Sequence, residues 1–387
     1  MSHAWDRASD RLDLLHRAFP VLGRGELPAR VLAVSADLPV EVFQDVPATG
    51  AHPSGLIRTG PDAFGPHRPT EPPDPPWDEA TRDLAARVGE DVLATLATAG
   101  RALGRPPAGF DHRATTTTGL PPVRFADRER ARDWVRANLG LLPAVVRACA
   151  NARSRALAVA VAAHSWTCAP GDAPPAWAHD LSEAGADAAI ADRAPRSFTG
   201  LMRLGAQWFA DRGDIATAER LGVREWAAWE RLADTDGMID VLWHRAGVYA
   251  AAGHEDRELD CYVRLRSLYE AGGDHLGVVR TTAATGTAFA RLGSDQDALE
   301  HLSQAAQEFA ALPGTTPVEQ ATVLITLGRV HWTSGDHYAA RRRFHAAHRL
   351  LADADRAGPA GRAPVEALAD QVRRLLDTEA GRSLPDG

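Results

Sequence analysis

Along most of the chain apolar residues recur three and four positions apart, the spacing of a helix with one buried face. Leu12 to Phe19 and Pro28 to Ala36 carry it, and PVEVFQDV (39–46) opens another helix. SGLIRTGPDAFGPH (54–67) departs from it: two short extended pieces, around Leu56-Ile57 and Ala63-Phe64, flank TGPD as turn chemistry. A helical pattern returns from Trp77 to Leu103, stops at Gly104 before a proline pair, and starts again at Phe125 with Asp127 as N-cap. Trp134, Leu139, Leu142, Val145 and Val146 supply its buried face. From there to about Asp377 helix follows helix, interrupted only at CAPGDAPPAW (168–177). Pro364 to Asp377 reads as a final helix.

Two segments break the periodicity. PHRPTEPPDPPWDEA (66–80) contains six prolines, which forbid a helix and favour extended geometry. RPPAGFDHRATTTTGLPPVRF (105–125) is linker-like as well. The expected order is therefore a small domain over 1–70, two linkers flanking a long helix over 71–124, helical hairpins over 125–196, and a repeat array with a capping helix over 197–380.

The array shows in paired glycines. Gly205, Gly247, Gly286 and Gly328 lie inside helices, at spacings of 42, 39 and 42. Gly213, Gly253, Gly293 and Gly335 open turns at spacings of 40, 40 and 42. Each unit places a small residue where two helices approach, then an aromatic (Trp208, Tyr249, Phe289, Trp332), then glycine as a left-handed helix stop. A polar cap and an apolar or small residue follow, as at Ala218, Leu259, Ala298 and Ala340. This pattern resembles the tetratricopeptide repeat in a long-period form. The second unit departs from it, with Gly-His for Gly-Asp and Glu258 where alanine is usual. Such a hairpin cannot bury its apolar face alone, so stacking on neighbours is implied.

The fold class expected is thus all-α: a tetratricopeptide-repeat superhelix of stacked hairpins behind a small winged-helix-like domain. Helices followed by a short hairpin outline that winged helix.

Composition removes several functions. Lysine is absent, so all 43 basic residues are arginine, and a standard lysine-bearing P-loop is impossible. GxGxxG and GxSxG are absent too. The net charge of −8, and an N-terminal stretch (1–75) with seven Arg against ten Asp and Glu, oppose phosphate contact. Cys149, Cys168 and Cys261 are far apart and unpaired in pattern, pointing to a reducing cytoplasm. No segment reaches membrane-span length, and the N-terminus lacks a signal-peptide core.

Several polar clusters have a plain structural reading. Arg341, Arg342, Arg343, His345, His348 and Arg349 fan around one helix and read as a solvated face. His337, Arg341, His345 and His348 share a stripe, but an arginine interrupts it and a third ligand is missing, so no metal is expected. His254-Glu255-Asp256 reads as a turn cap, and Cys168, four residues after His164, as a buried spectator. No catalytic residues and no cofactor are expected. What remains is the concave face of the first helices of the hairpins. His244, Val248, Arg280, Thr287, Arg291, Arg329 and Trp332 fall there. His244, Arg280, Thr287, Arg291, Arg329 and Trp332 are the candidates for gripping an acidic or aromatic partner segment.

The order of parts also resembles the C-terminal portion of large actinomycete signalling regulators, antibiotic-pathway regulators among them. In those an NB-ARC-type ATPase precedes a winged helix and tetratricopeptide repeats. LDLLHRAFPVLGRGELPARVLAVSADL with LIRTGPDAF, DEATRDLAARVGEDVLATLATAGRALGRPP, and FADRERARDWVRANLGLLPAVVRACANA carry the resemblance, with Trp134, Asn138 and Leu139 matching the repeat entry. The ATPase is not in the sequence, so the resemblance implies the sensor and scaffold half standing alone. The expected function is a non-enzymatic, cytoplasmic protein- or peptide-binding scaffold with a regulatory role. Homo-oligomer formation is compatible with such an array. Two alternatives stay open: a transcriptional regulator touching DNA through residues 1–70, and an enzyme with an unrecognised site in the groove.

Overall fold

A computed structural model describes residues 12–22, 24, 27–36, 38, 40–46, 56–60, 62–66, 77–105, 120–357, 370, 371 and 374. Most of the two expected linkers and most of the expected final helix, 364–377, lie outside the described residues. The chain forms two compact units, Met1–Ala228 and Trp229–Gly387, whose boundary falls inside one helix.

The first unit opens with α1 (Leu12–Val21), β1 (Leu27–Pro28), α2 (Ala29–Ala36), a 3-10 turn (Val40–Asp45), β2 (Leu56–Gly60) and β3 (Ala63–Pro66). The three strands are antiparallel in the order β1-β3-β2. Phe19, Leu32, Phe43, Leu56 and Phe64 close its core, with Phe43 and Phe64 rings 5.7 Å apart. The expected hairpin forms. PVEVFQDV winds as a 3-10 turn rather than an α-helix, and Arg58 of β2 satisfies its terminal carbonyls: Phe43, Gln44 and Val46 accept at 3.2, 2.8 and 3.3 Å.

Next comes α3 (Glu79–Ala102), N-capped by Asp78, which accepts the Thr81 N–H, and closed by left-handed Gly104. One face of α3 holds the N-terminal elements. Arg30 forks onto Asp91 at 2.8 and 2.5 Å, and Arg87 donates to the Ser35 carbonyl at 2.8 Å. The other face meets α4 (Arg128–Asn138), α5 (Leu141–Asn151) and α6 (Arg155–Cys168), and the chain goes on through α7 (Pro175–Ala191), α8 (Pro195–Ala210) and α9 (Ile215–Leu232). Asp127 caps α4 as expected. CAPGDAPPAW is pinned from three sides. Arg105 donates to the carbonyls of Thr167 and Ala169, Arg136 pairs with Asp172, and Arg212 reaches the Pro170 and Gly171 carbonyls while stacking 3.6 Å over Trp208. Beneath it Trp166, Trp177 and Trp208 pack together with centroids 5.6 to 6.3 Å apart.

The second unit starts at Trp229 and continues through α10 (Thr235–Ala252), α11 (Glu255–Gly272), α12 (His275–Leu292), α13 (Asp295–Ala311), α14 (Pro317–Thr333) and α15 (His337–Ala357). Each of α10 to α15 packs on its neighbour in sequence. Among the described residues no helix is long and apolar enough to cross a membrane.

The repeat rests on a backbone rhythm finer than its glycines. Left-handed residues stand at 193, 213, 233, 253, 273 and 293, evenly spaced at half the glycine period. Each closes a helix by the same pair of bonds: at Gly253, for example, its own N–H reaches Ala250 and the His254 N–H reaches Tyr249. At Ala233 and Gly273 the residue after the stop, Asp234 or Asp274, also caps the next helix, so one two-residue link serves both ends. Arg153 and Arg193 take the same conformation, which places a hairpin without stop glycines (α6–α7) in register with the array. Ala233 bears a left-handed strain that glycine would not. Ala233→Gly is expected to raise stability by up to about 1 kcal/mol in urea unfolding.

The helix glycines do not all do the same work. A Cβ on Gly286 would meet Leu302 at 2.8 Å, and one on Gly328 the Phe344 ring at 2.5 Å, as a close helix approach requires. Gly247 faces open space. Counted back from the turn glycine, it is one residue out of register with Gly286 and Gly328, and fully buried Ala246 takes their place.

Candidate partner-binding surfaces

The predicted groove residues all lie on first helices of hairpins in the second unit: His244 on α10, Arg280, Thr287 and Arg291 on α12, Arg329 and Trp332 on α14. Their surroundings divide them. Arg291 is committed to Glu258 of α11, which is 1% exposed and accepts the Tyr262 hydroxyl on its other oxygen at 2.8 Å. Burial, then the bond to Glu258, pushes the Tyr262 phenol up. A charge in the position usual for alanine is thus answered from the next helix.

Arg280 pairs with Glu319 at 2.6 Å. Glu319 also completes a capping box with Thr316 at the start of α14. Burial raises the Glu319 carboxyl, but the bonds from Thr316 and Arg280 outweigh it and hold it below the usual value. The Thr287 hydroxyl donates to the Ala283 carbonyl at 2.9 Å, and Val248 is buried. His244 is half-buried. Arg329 differs: its guanidinium has no ion-pair or hydrogen-bond partner among the described residues. Trp332, one turn on, is half-buried over the cluster of Ile325, Phe344 and Leu351, with its ring 4.5 Å from that of His337. Of the predicted set, Arg329 is a member whose guanidinium is uncommitted among the described residues, with Trp332 one turn away.

A second surface lies between α13 and α15, across α14. There a cleft of about 560 Å³ is walled by Ala306, Ala310 and Ala346, floored by Leu324, and bordered by Arg343 and Arg349. Neither arginine has an ion-pair or hydrogen-bond partner among the described residues. Arg343 is close enough to His331 to act on it. Burial lowers His331, Arg343 adds to that, and Asp336, 3.9 Å away, opposes both. The arginine run of α15 is therefore not one uniform face. Arg341 and Arg342 are exposed, with Arg342 lying over Tyr338, whereas half-buried Arg343 and exposed Arg349 line the cleft.

The remaining chemistry is buried. All three thiols are inside the fold, and desolvation pushes Cys149 and Cys168 up to about 12 and Cys261 up to about 11, far from the range of a reactive thiolate. His164 is buried with Nδ1 on the Ala160 carbonyl at 2.9 Å. Among the described residues no three His, Cys, Asp or Glu side chains converge as metal ligands.

No protein-family model matches the chain, and no curated protein matches it. Among solved structures it is similar to BtubC from P. vanneervenii, at 17% identity over 60% of this chain and 91% of that one, with a TM-score of 0.42. It is also similar to a Signal Transduction ATPase with Numerous Domains from Pyrococcus horikoshii that carries a tetratricopeptide repeat sensor. That match has 10% identity over 96% of this chain and 60% of that chain, with a TM-score of 0.35. At these values neither likeness weighs beside the chain's own geometry: consecutive helices packed in pairs, glycine at the close approaches, and Schellman stops in register. The fold is a tetratricopeptide-like stack of helical hairpins.

Sequence reasoning passes over the α13–α15 cleft. Its one trace there is the widening of the glycine spacing from 40 to 42 at Gly335.

Proposed function

We propose that the chain is a non-catalytic scaffold that binds a protein or peptide through its hairpin array, in a regulatory role inside the cell. The observation that carries this reading is how the array uses its charges. Buried Asp91, Glu225 and Glu258 are each answered by an arginine (Arg30, Arg203 and Arg291), which commits those groups to holding helices together. Arg329, beside Trp332 on α14, has no such duty among the described residues. A guanidinium next to a half-buried indole suits an acidic or aromatic side chain of a partner. The raised thiols supply no nucleophile, which supports a binding rather than a chemical role. The regulatory part rests on the sequence resemblance to repeat-bearing signalling proteins.

DNA contact is the weaker reading. Where a winged helix would present its recognition helix, the chain has a six-residue 3-10 turn carrying Glu41 and Asp45.

The test is capture of partners from the native extract by the tagged chain, read by mass spectrometry beside a nucleic-acid assay. One stoichiometric protein is expected with the wild type and lost with R329A/W332A. Recovery of DNA without protein would overturn the scaffold reading, and a partner that the double variant holds equally well would overturn the assignment of Arg329 and Trp332 to its site.

A further inference from the structure

The junction between α13 and α14 is built differently from the two-residue links of α10 to α13. The step from Asp295, where α13 begins, to Pro317, where α14 begins, is two positions longer than the equivalent step from Glu255 of α11 to His275 of α12. The link itself grows from Gly273–Asp274 to Leu312–Thr316. The longer link is well tied. Gly314 is left-handed, the Thr315 hydroxyl donates to the carbonyls of Phe309 and Leu312, and Gln320 donates to the Phe309 carbonyl and Thr315 at 3.1 and 2.7 Å. The Thr316–Glu319 capping box then starts α14. The α13–α15 cleft lies beside this longer link, with Gln320 both tying the link and lining the cleft.

The walls of this cleft are small side chains and its rim is cationic. Ala306, Ala310 and Ala346 leave room for an inserted apolar group over Leu324. Arg343 and Arg349 stand at its edge without partners among the described residues, unlike Arg17, Arg136, Arg147 and Arg280, which pair with Asp78, Asp172, Asp180 and Glu319. Two guanidinium groups beside an apolar slot complement a short acidic segment that brings an aliphatic side chain between carboxylates. A polyanion fits less well. It would leave the apolar slot unfilled, whereas the rim, with two arginines to the one carboxylate of Asp353, still favours an acidic peptide that fills it.

From Arg343 and Arg349, uncommitted over the alanine-walled cleft between α13 and α15, we infer a docking site for an acidic-aliphatic peptide segment of a partner protein. This inference rests on the scaffold reading and adds a surface distinct from Arg329 and Trp332.

The probe is a fluorescein-labelled hexapeptide, Glu-Leu-Glu-Leu-Asp-Glu with blocked ends, titrated with the full chain and followed by anisotropy. Binding is expected, weakening as salt is raised. It is expected to fall by roughly tenfold or more in R343A/R349A, to persist in R329A/W332A, and to be absent for the peptide with Gln and Asn in place of its acids. The charge-reversed R343E/R349E should instead bind the Arg-for-acid peptide. Because neither arginine holds another described residue, circular dichroism should find these variants folded. No binding at about 1 mM protein would overturn the inference. Binding unchanged in R343A/R349A would do the same, as would tighter binding of oligothymidylate than of the acidic peptide. If R329A/W332A loses its captured partner while the hexapeptide still needs Arg343 and Arg349, both readings hold. If partner capture is unaffected but hexapeptide binding is lost in R343A/R349A, the groove assignment fails and the cleft stands.

Discussion

Arg291→Ala should destabilise the second unit by about 2–3 kcal/mol, whereas Glu258→Ala should stay within about 1 kcal/mol of wild type. The asymmetry follows from burial. Glu258 is 1% exposed, so removing Arg291 leaves a carboxylate inside the fold with only a phenol, the Tyr262 hydroxyl, to set against the lost cation. Removing Glu258 instead restores the alanine that Ala218, Ala298 and Ala340 place at the same point of their hairpins, and frees an arginine whose side chain is already 39% exposed. The figure for Arg291→Ala is set below that for a fully buried pair because water reaches one partner. Urea unfolding of both single variants and of E258A/R291A gives the coupling directly. The double variant should resemble E258A. If Arg291→Ala proves neutral, Arg291 is not a structural cation and returns to the partner-facing set.

Gly277→Ala is expected to cost about 2–4 kcal/mol, although alanine is the better helix former. Gly277 is the third residue of α12, and its N–H donates to the cap, Asp274, at 2.9 Å. A Cβ there would lie 2.2 Å from the Tyr269 ring. That ring has little freedom to retreat, since its hydroxyl accepts the Trp243 indole N–H at 2.9 Å and its carbonyl closes the α11 stop. Gly247→Ala is the control: also helical, but facing open space, it should gain about 0.5–1 kcal/mol. Thermal unfolding of the two variants side by side should show shifts of opposite sign. Shifts of the same sign would mean that the close approach at Tyr269 is relaxed by a small helix movement. Gly237 under Trp229 repeats the arrangement one hairpin earlier.

Much of this architecture is legible in the residues. Helical spacing, the Asp127 cap, the Gly104 stop, the β2–β3 hairpin around TGPD and the register of Gly213, Gly253, Gly293 and Gly335 all follow from choices made within a few positions of chain. Such signals are local, and a stop glycine means the same thing whatever it packs against. Even so, the stops at Arg153, Arg193 and Ala233 carry no sequence signal, because there the surrounding bonds impose a left-handed backbone on residues that do not favour it. β1 is too short for any periodicity, and exists through its pairing with β3.

The site is less legible, for a related reason. Position on first helices assigns six side chains to one groove, and position does not reveal what stands opposite. Arg291 meets Glu258 and Arg280 meets Glu319, each on another helix, pairings that arise when hairpins stack. The arginines of α15 look alike as a run of sequence, but their helix has one side against a gap and another against water. What the amino-acid sequence determined by itself was a chain of helical hairpins with the period of its turn glycines, since backbone stops and apolar spacing act over one or two turns. Which arginines are consumed, which glycines are clamped, and where a cleft is left open depended on distances between helices, and only tertiary packing sets those.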